Sequence, residues 1–179
     1  MKKFWRVDTK ALVGGVLLGI VFMLVQQISH RIDSLFSPAV MIMGGITWAT
    51  FTALGALLFG QPSGIIVGET QALVANASGL SPVALFFFLA NGLGSFSYSL
   101  VSHRLSMEKW SHHLLAQIVA NLVGNACVLL GLITVLKLPP TAAIISSVIT
   151  CTAGIIGATV LTKLVYDNLK RSRLLDISY

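Results

Sequence analysis

The chain has 179 residues, of which 55% are hydrophobic and 10% charged, with a formal net charge of +6 and a mean hydropathy of +0.87. Usage of this kind excludes an ordinary soluble domain and points to an all-α integral membrane protein. It also argues against a nucleic-acid partner, because no soluble surface exists on which twelve Lys and Arg side chains would form a basic patch.

Charge-free stretches run from Ala11 to His30, Ser34 to Gly68, Thr70 to His103, Trp110 to Leu136 and Leu138 to Thr162. A bilayer core of about 30 Å needs about 20 helical residues, so the two longest stretches must fold back. Their continuous apolar character is wrong for membrane-spanning strands, which alternate. The pattern predicts six transmembrane helices in one domain, residues 1–179.

The first helix, near 11–29, follows a basic start, "MKKFWRVDTK", with no small-x-small cleavage site after it, and reads as a helix rather than a leader. Ala11, Gly15 and Gly19 recur every four residues and make a flat stripe for close approach, either inside the bundle or against a partner. The second helix, 38–59, opens at Pro38 and carries Trp48 near its middle. Membrane tryptophans usually sit at interfaces, so Trp48 is either a packed ring or a surface on which a flat heterocycle stacks.

"GQPSG" at Gly60 to Gly64 separates the third helix, 62–78, where Glu69 and Asn76 lie seven apart. A carboxylate at midplane costs about 2.5–3.5 kcal/mol on insertion scales, so Glu69 is either a ligand or cation contact or a structural residue. "NASGLSP" at Asn76 to Pro82 opens the fourth helix, 82–103, with Asn91, Ser95 and Tyr98 on one face. The fifth, 111–136, repeats this with Gln117, Asn121 and Asn125, and the sixth, 140–166, begins at Pro139-Pro140 and contains Gly154, Gly157 and Ala158. For the Asn residues, ligand contact and interhelical hydrogen bonding both remain open.

No Gly-x-x-x-x-Gly-Lys phosphate loop occurs, no second acid at membrane depth pairs with Glu69, and the four His residues fall near helix ends, so the chain reads as a non-enzyme. His112 and His113 point to different helix faces and read as an interfacial pair, not a metal site; Cys127 and Cys151 read as buried apolar side chains. Lys2, Lys3, Arg6, Lys10, Arg104, Lys109, Lys163, Lys170, Arg171 and Arg173 lie on one side and only Arg31 and Lys137 on the other, which predicts cytoplasmic termini.

Four stretches, "FSP" at Phe36 to Pro38, "QPSGIIVGE" at Gln61 to Glu69, "NGLGS" at Asn91 to Ser95 and "AGIIGATVLTKLVYDNL" at Ala153 to Leu169, resemble in sequence order the S components of energy-coupling factor (ECF) vitamin transporters. The likeness is to the YkoE-type group, associated with thiamine and its hydroxymethylpyrimidine precursor. The resemblance implies a multi-pass protein of a prokaryotic plasma membrane with an outward pocket, served by a transmembrane coupling subunit and cytoplasmic ATPase subunits, and with no cofactor. It implies that Glu69 anchors the ligand, Trp48 and Tyr98 stack on its rings, and Asn76, Asn91, Asn121 and Asn125 orient it. Ala11, Gly15 and Gly19 would then dock the coupling subunit. After "FSP" the chain reads "AVMIM", where the group carries acidic and aromatic side chains, which shifts the expectation from thiamine toward the smaller pyrimidine. A membrane scaffold and a stand-alone cation-coupled carrier using Glu69 are the alternatives; no convincing internal repeat favours the carrier.

Overall fold

The turn residues that punctuate the sequence also punctuate the chain in space. The structure, a computed structural model, describes residues 4–36 and 40–172. Six α-helices are present among them: α1 Thr9–Ser34, α2 Ile42–Phe59, α3 Ser63–Ala77, α4 Leu85–Arg104, α5 Trp110–Thr134 and α6 Pro140–Arg171. The expectations placed on Pro38, on Lys2, Lys3 and Arg173, and on part of "FSP" and "AVMIM" lie outside the described residues.

Helix ends differ from the sequence reading for identifiable reasons. α1 begins at Thr9 because the Asp8 carboxylate caps it, accepting from the Ala11 N–H at 2.8 Å. That hydrogen bond holds the Asp8 carboxyl below its ordinary value. α1 also runs five residues past the expected end, because its polar last turn is used by α2. α2 has no side-chain cap of its own; the buried Asp33 of α1 supplies one, accepting from Met43 N at 2.9 Å and Gly44 N at 2.7 Å. α4 starts at Leu85 and not at Pro82, since hydrogen bonds from Ala84 N to Ser81 O and from Phe86 N to Val83 O close tight turns first.

α2 is the hub. Its inner surface is made of small residues, among them Gly44, Gly45, Ala49, Ala53, Gly55 and Ala56, and it touches all five other helices. The others form an arc around it in the order α1, α3, α4, α5, α6, with no contact between α6 and α1 to close the ring. Short connections make successive helices antiparallel, so the C-terminal halves of α1, α3 and α5 share one end of the bundle with the N-terminal halves of α2, α4 and α6.

Polarity is inverted relative to a soluble bundle. Gln26, Asp33, Gln61, Gln71, Asn91, His113, Gln117, Asn121 and Lys163 are buried, while apolar side chains such as Leu17, Leu24, Ile28, Leu89, Leu122, Ile145 and Ile156 face outward. Exposed apolar faces of that extent belong against hydrocarbon. Five helices, all but α3, are long and apolar enough to cross a membrane; α3 has 15 residues, a rise of about 22 Å.

α1 buries one continuous stripe: Ala11, Gly15, Gly19, Phe22, Gln26, Ser29 and Asp33. Its first half lies on α3. Ser63 Oγ donates to Ala11 O at 2.8 Å, and Cβ atoms added at Gly15 and Gly19 would meet Ser63 at 3.0 Å and Thr70 at 2.8 Å. In the folded chain α3 occupies the surface of Ala11, Gly15 and Gly19, so the stripe packs inside the bundle.

Candidate functional site

A cavity opens in the half of the bundle opposite the chain termini, and every helix contributes to it. α1 provides Gln26, and α2 provides Gly44, Gly45 and Trp48 from its first two turns. α3 adds Gln71, α4 adds Phe87 and Asn91, α5 adds Gly124 and Asn125, and α6 adds Thr150.

The position of Trp48 follows from two absent side chains. A Cβ at Gly94 on α4 would lie 2.6 Å from Trp48 Cζ2, and one at Gly124 on α5 would lie 2.5 Å from the same atom. The indole edge thus fills a slot cut by two glycines on neighbouring helices. Real carbon contacts prefer about 3.5–4.0 Å, so no larger residue fits at either place with the ring where it is. Gly45 gives α6 the same close approach, a Cβ there meeting Thr150 at 3.0 Å.

Asn91, at the start of the "NGLGS" stretch, spans α4 and α3: its Nδ2 donates to Gly68 O at 2.6 Å and to Gln71 Oε1 at 3.1 Å. Asn125 Nδ2 donates to Asn121 O, Asn121 Nδ2 to Gln117 O and Oε1, and Gln117 Nε2 to Ala49 O at 3.1 Å. The amide stripe of α5 is thus a ladder descending from the cavity into the bundle, with Asn125 at its top. Asn121 lies one turn below the cavity, its side chain toward Gly154 of α6, and does not line it.

Of the residues expected at the site, Trp48, Asn91 and Asn125 come together on the cavity, and the others do not. Glu69 is half-buried on the flank between α3 and α4, where Gly92 makes room for it: a Cβ there would lie 2.9 Å from Glu69 Oε1 and meet nothing else within 4 Å. No hydrogen bond or ion pair to Glu69 is found among the described residues. The buried face of α3 consists of Gly64, Val67, Gly68, Gln71, Ala72 and Ala75. Glu69 falls between 67 and 71, hence on the outer side. Asn76 shares that outer side, exposed at the last turn of α3. Tyr98 is buried in the other half of the bundle with Met107, Ala116 and Tyr166, and its hydroxyl lies 3.4 Å from His113 Nδ1. Glu69, Asn76, Tyr98 and Asn121 thus lie off this cavity.

Gln26, Gln71, Phe87 and Thr150 were missed by the sequence reading. Gln26 had a signal: of the two adjacent amides in the otherwise apolar "VFMLVQQIS", it is the one that continues the stripe of Ala11, Gly15 and Gly19 at helical spacing. Its Nε2 donates to Gly44 O at 3.3 Å and lies 3.1 Å from His30 Nε2, which ties the cavity wall on α1 to α2. His30 in turn stacks on Phe87, ring centroids 5.9 Å apart.

His112 and His113 diverge as adjacent helix residues do: His112 Nδ1 approaches Ser106 Oγ, and His113 Nε2 lies 2.9 Å from Met107 O. No group of three or more His, Cys, Asp or Glu side chains placed to hold a metal occurs among the described residues. Cys127 and Cys151 are free thiols.

The fold is an all-helical membrane-type bundle with a cavity lined by residues of all six helices. No family model matches the chain, and neither a curated protein nor a solved structure matches it.

Proposed function

We propose that this chain is the substrate-binding S component of an ECF-type importer in a prokaryotic plasma membrane, capturing thiamine or a related aminopyrimidine outside the cell. The observation that carries the reading is the cavity built by all six helices at the end of the bundle away from the termini. In this reading α3 is a sixth crossing and both termini are cytoplasmic. The charge distribution supports it: Arg6, Lys10, Arg104, Lys109, Lys163, Lys170 and Arg171 belong to the terminal end, against Arg31 and Lys137 at the cavity end. The cavity then faces outward.

Trp48 and Phe87 supply apolar aromatic surface for a flat ring, while Gln26, Gln71, Asn91 and Asn125 supply amides that fix its orientation. The chain has no nucleotide-binding loop, so inward release draws on a transmembrane coupling subunit and cytoplasmic ATPase subunits. Coupling does not use Ala11, Gly15 and Gly19, which α3 covers. The stand-alone carrier loses its main support with Glu69 outside the cavity.

Calorimetric titration of the detergent-purified protein with thiamine and with hydroxymethylpyrimidine tests the reading. Saturable binding that falls at least about tenfold in Asn91→Leu is expected, since that change removes the tie between α3 and α4 at the cavity wall. Absence of binding to both compounds by folded protein would refute it.

A further inference from the structure

Among the described residues every acid but one is engaged within the chain. Asp8 caps α1 and pairs with Arg6, Asp33 caps α2, Glu108 pairs with Lys170 and Asp167 with Lys163. Glu69 has neither a hydrogen bond nor an ion pair among these residues. On α3, Ser63, Val67 and Thr70 turn toward α1, and Gly64, Gly68 and Gln71 turn toward α4. Glu69 shares the remaining, outward side with Ile66 and Leu73. It sits near the middle of α3, with about 10 Å of helix on either side, further than its side chain extends toward either end. A carboxylate kept at that depth against hydrocarbon calls for a compensating charge.

Gly92 on α4 decides where the carboxylate lies. A Cβ there would be 2.9 Å from Glu69 Oε1 and meet nothing else within 4 Å, so the missing side chain lets Glu69 lean into the seam between α3 and α4. Leu73, one turn on from Glu69, and Leu85 and Leu89, two turns and one turn before Gly92, border the same seam and are exposed. The seam is an apolar track with a single carboxylate in it. A second copy of this chain has no matching charge to offer. The sequence has no Lys or Arg between Arg31 and Arg104, and Lys163, the one basic residue well inside a helix, is buried in the terminal half of α6 and paired with Asp167.

We infer that the α3–α4 seam centred on Glu69 is the docking surface for a transmembrane helix of a different membrane protein, one with an apolar face and a Lys or Arg near its midpoint. The pair gives each charge at that depth the counter-charge that lipid does not supply, and the exposed leucines give the two helices apolar contact on either side of it. Glu69 lies off the cavity, so the inference stands apart from the capture reading and depends on no ligand.

The full chain, labelled with a fluorescent donor at its N-terminus and reconstituted in phosphatidylcholine vesicles, is titrated with acceptor-labelled model peptides. Each peptide is a Leu/Ala transmembrane helix that differs only at its central residue, Lys, Leu or Glu. Energy transfer is expected to show the Lys peptide associating about tenfold more tightly than the Leu peptide. That preference is expected to vanish in Glu69→Gln, which keeps the shape and hydrogen-bonding ends of the side chain and removes its charge. Glu69→Lys is expected to transfer the preference to the Glu peptide; the Gln variant decides alone if the Lys variant does not fold. Equal association of the Lys and Leu peptides with wild-type protein would overturn the inference. So would a Lys preference that survives in Glu69→Gln, which would place the contact elsewhere on the bundle. Energy transfer between donor- and acceptor-labelled copies of the chain without peptide, lost in Glu69→Gln, would also overturn it by making a second copy the occupant.

Discussion

Replacing Gly124 by Ala should damage ligand binding more than folding. The added methyl would sit 2.5 Å from Trp48 Cζ2, against an optimum near 3.5–4.0 Å, so the ring must retreat by about 1 Å or more. Gly94 closes the slot on the α4 side, and the space open to the indole is the cavity. Overpacking of this kind costs about 1–3 kcal/mol. If the ring relieves the clash by tilting into the cavity, the strain is small in the empty protein and returns in full when a ligand pushes the ring back. At a factor of ten per 1.4 kcal/mol, affinity should fall roughly 5- to 150-fold. Gly157→Ala is the control: its Cβ would lie 2.7 Å from Ile46 Cγ1, a comparable clash between α6 and α2 away from the cavity. Calorimetric titration gives affinity for both variants, and thermal unfolding in the same detergent gives stability. Wild-type affinity in folded Gly124→Ala protein, or equal losses in the two variants, would refute the argument that the glycine slot sets the ligand site.

Glu69→Gln should leave ligand affinity within about twofold of wild type, because the side chain is on the outer flank and removing its charge changes no cavity contact; a loss of tenfold or more in titration would return Glu69 to the site. Asp33→Asn should lower stability by about 1–3 kcal/mol, since the amide offers one acceptor where the carboxylate serves two buried N–H groups, and one of Met43 N or Gly44 N loses its partner. Thermal unfolding should show the drop, and an unchanged melting temperature would mean that α2 does not need the cap.

The number of helices and most of their limits were legible because Gly and Pro mark turns chemically, as at Gly60 to Gly64 and at Pro139-Pro140. Asn91 and Asn125 were legible as inward residues, since an amide in an apolar helix needs a partner wherever the helix is placed. What sequence does not carry is rotation. Glu69 and Asn76 do share a face of α3, as their spacing required, but that face looks outward, and only the packing of Gly64, Gly68 and Ala72 against neighbours decides this. Tyr98 failed for a different reason: it is inward but at the wrong level, in the half of the bundle where Tyr166 and Met107 pack. The stripe of Ala11, Gly15 and Gly19 was legible as a close-approach surface, yet its occupant, α3, is set by the packing of the whole bundle, which no spacing rule names. Asp33 is the clearest case of a tertiary cause, a charge whose function is to finish another helix.

The glycine slots also divide the chain by how freely it can change. At Gly64, Gly68, Gly94, Gly124 and Gly154 a single added carbon collides with a side chain from another helix, Ser95, Asn91, Trp48 or Asn121. At outward positions such as Leu17, Leu122 or Ile156, one apolar residue serves the lipid as well as another. Mutation would therefore erode the conspicuous hydrophobic letters of this sequence first and its least conspicuous ones last, so that the record of its architecture is kept in the residues that have no side chain.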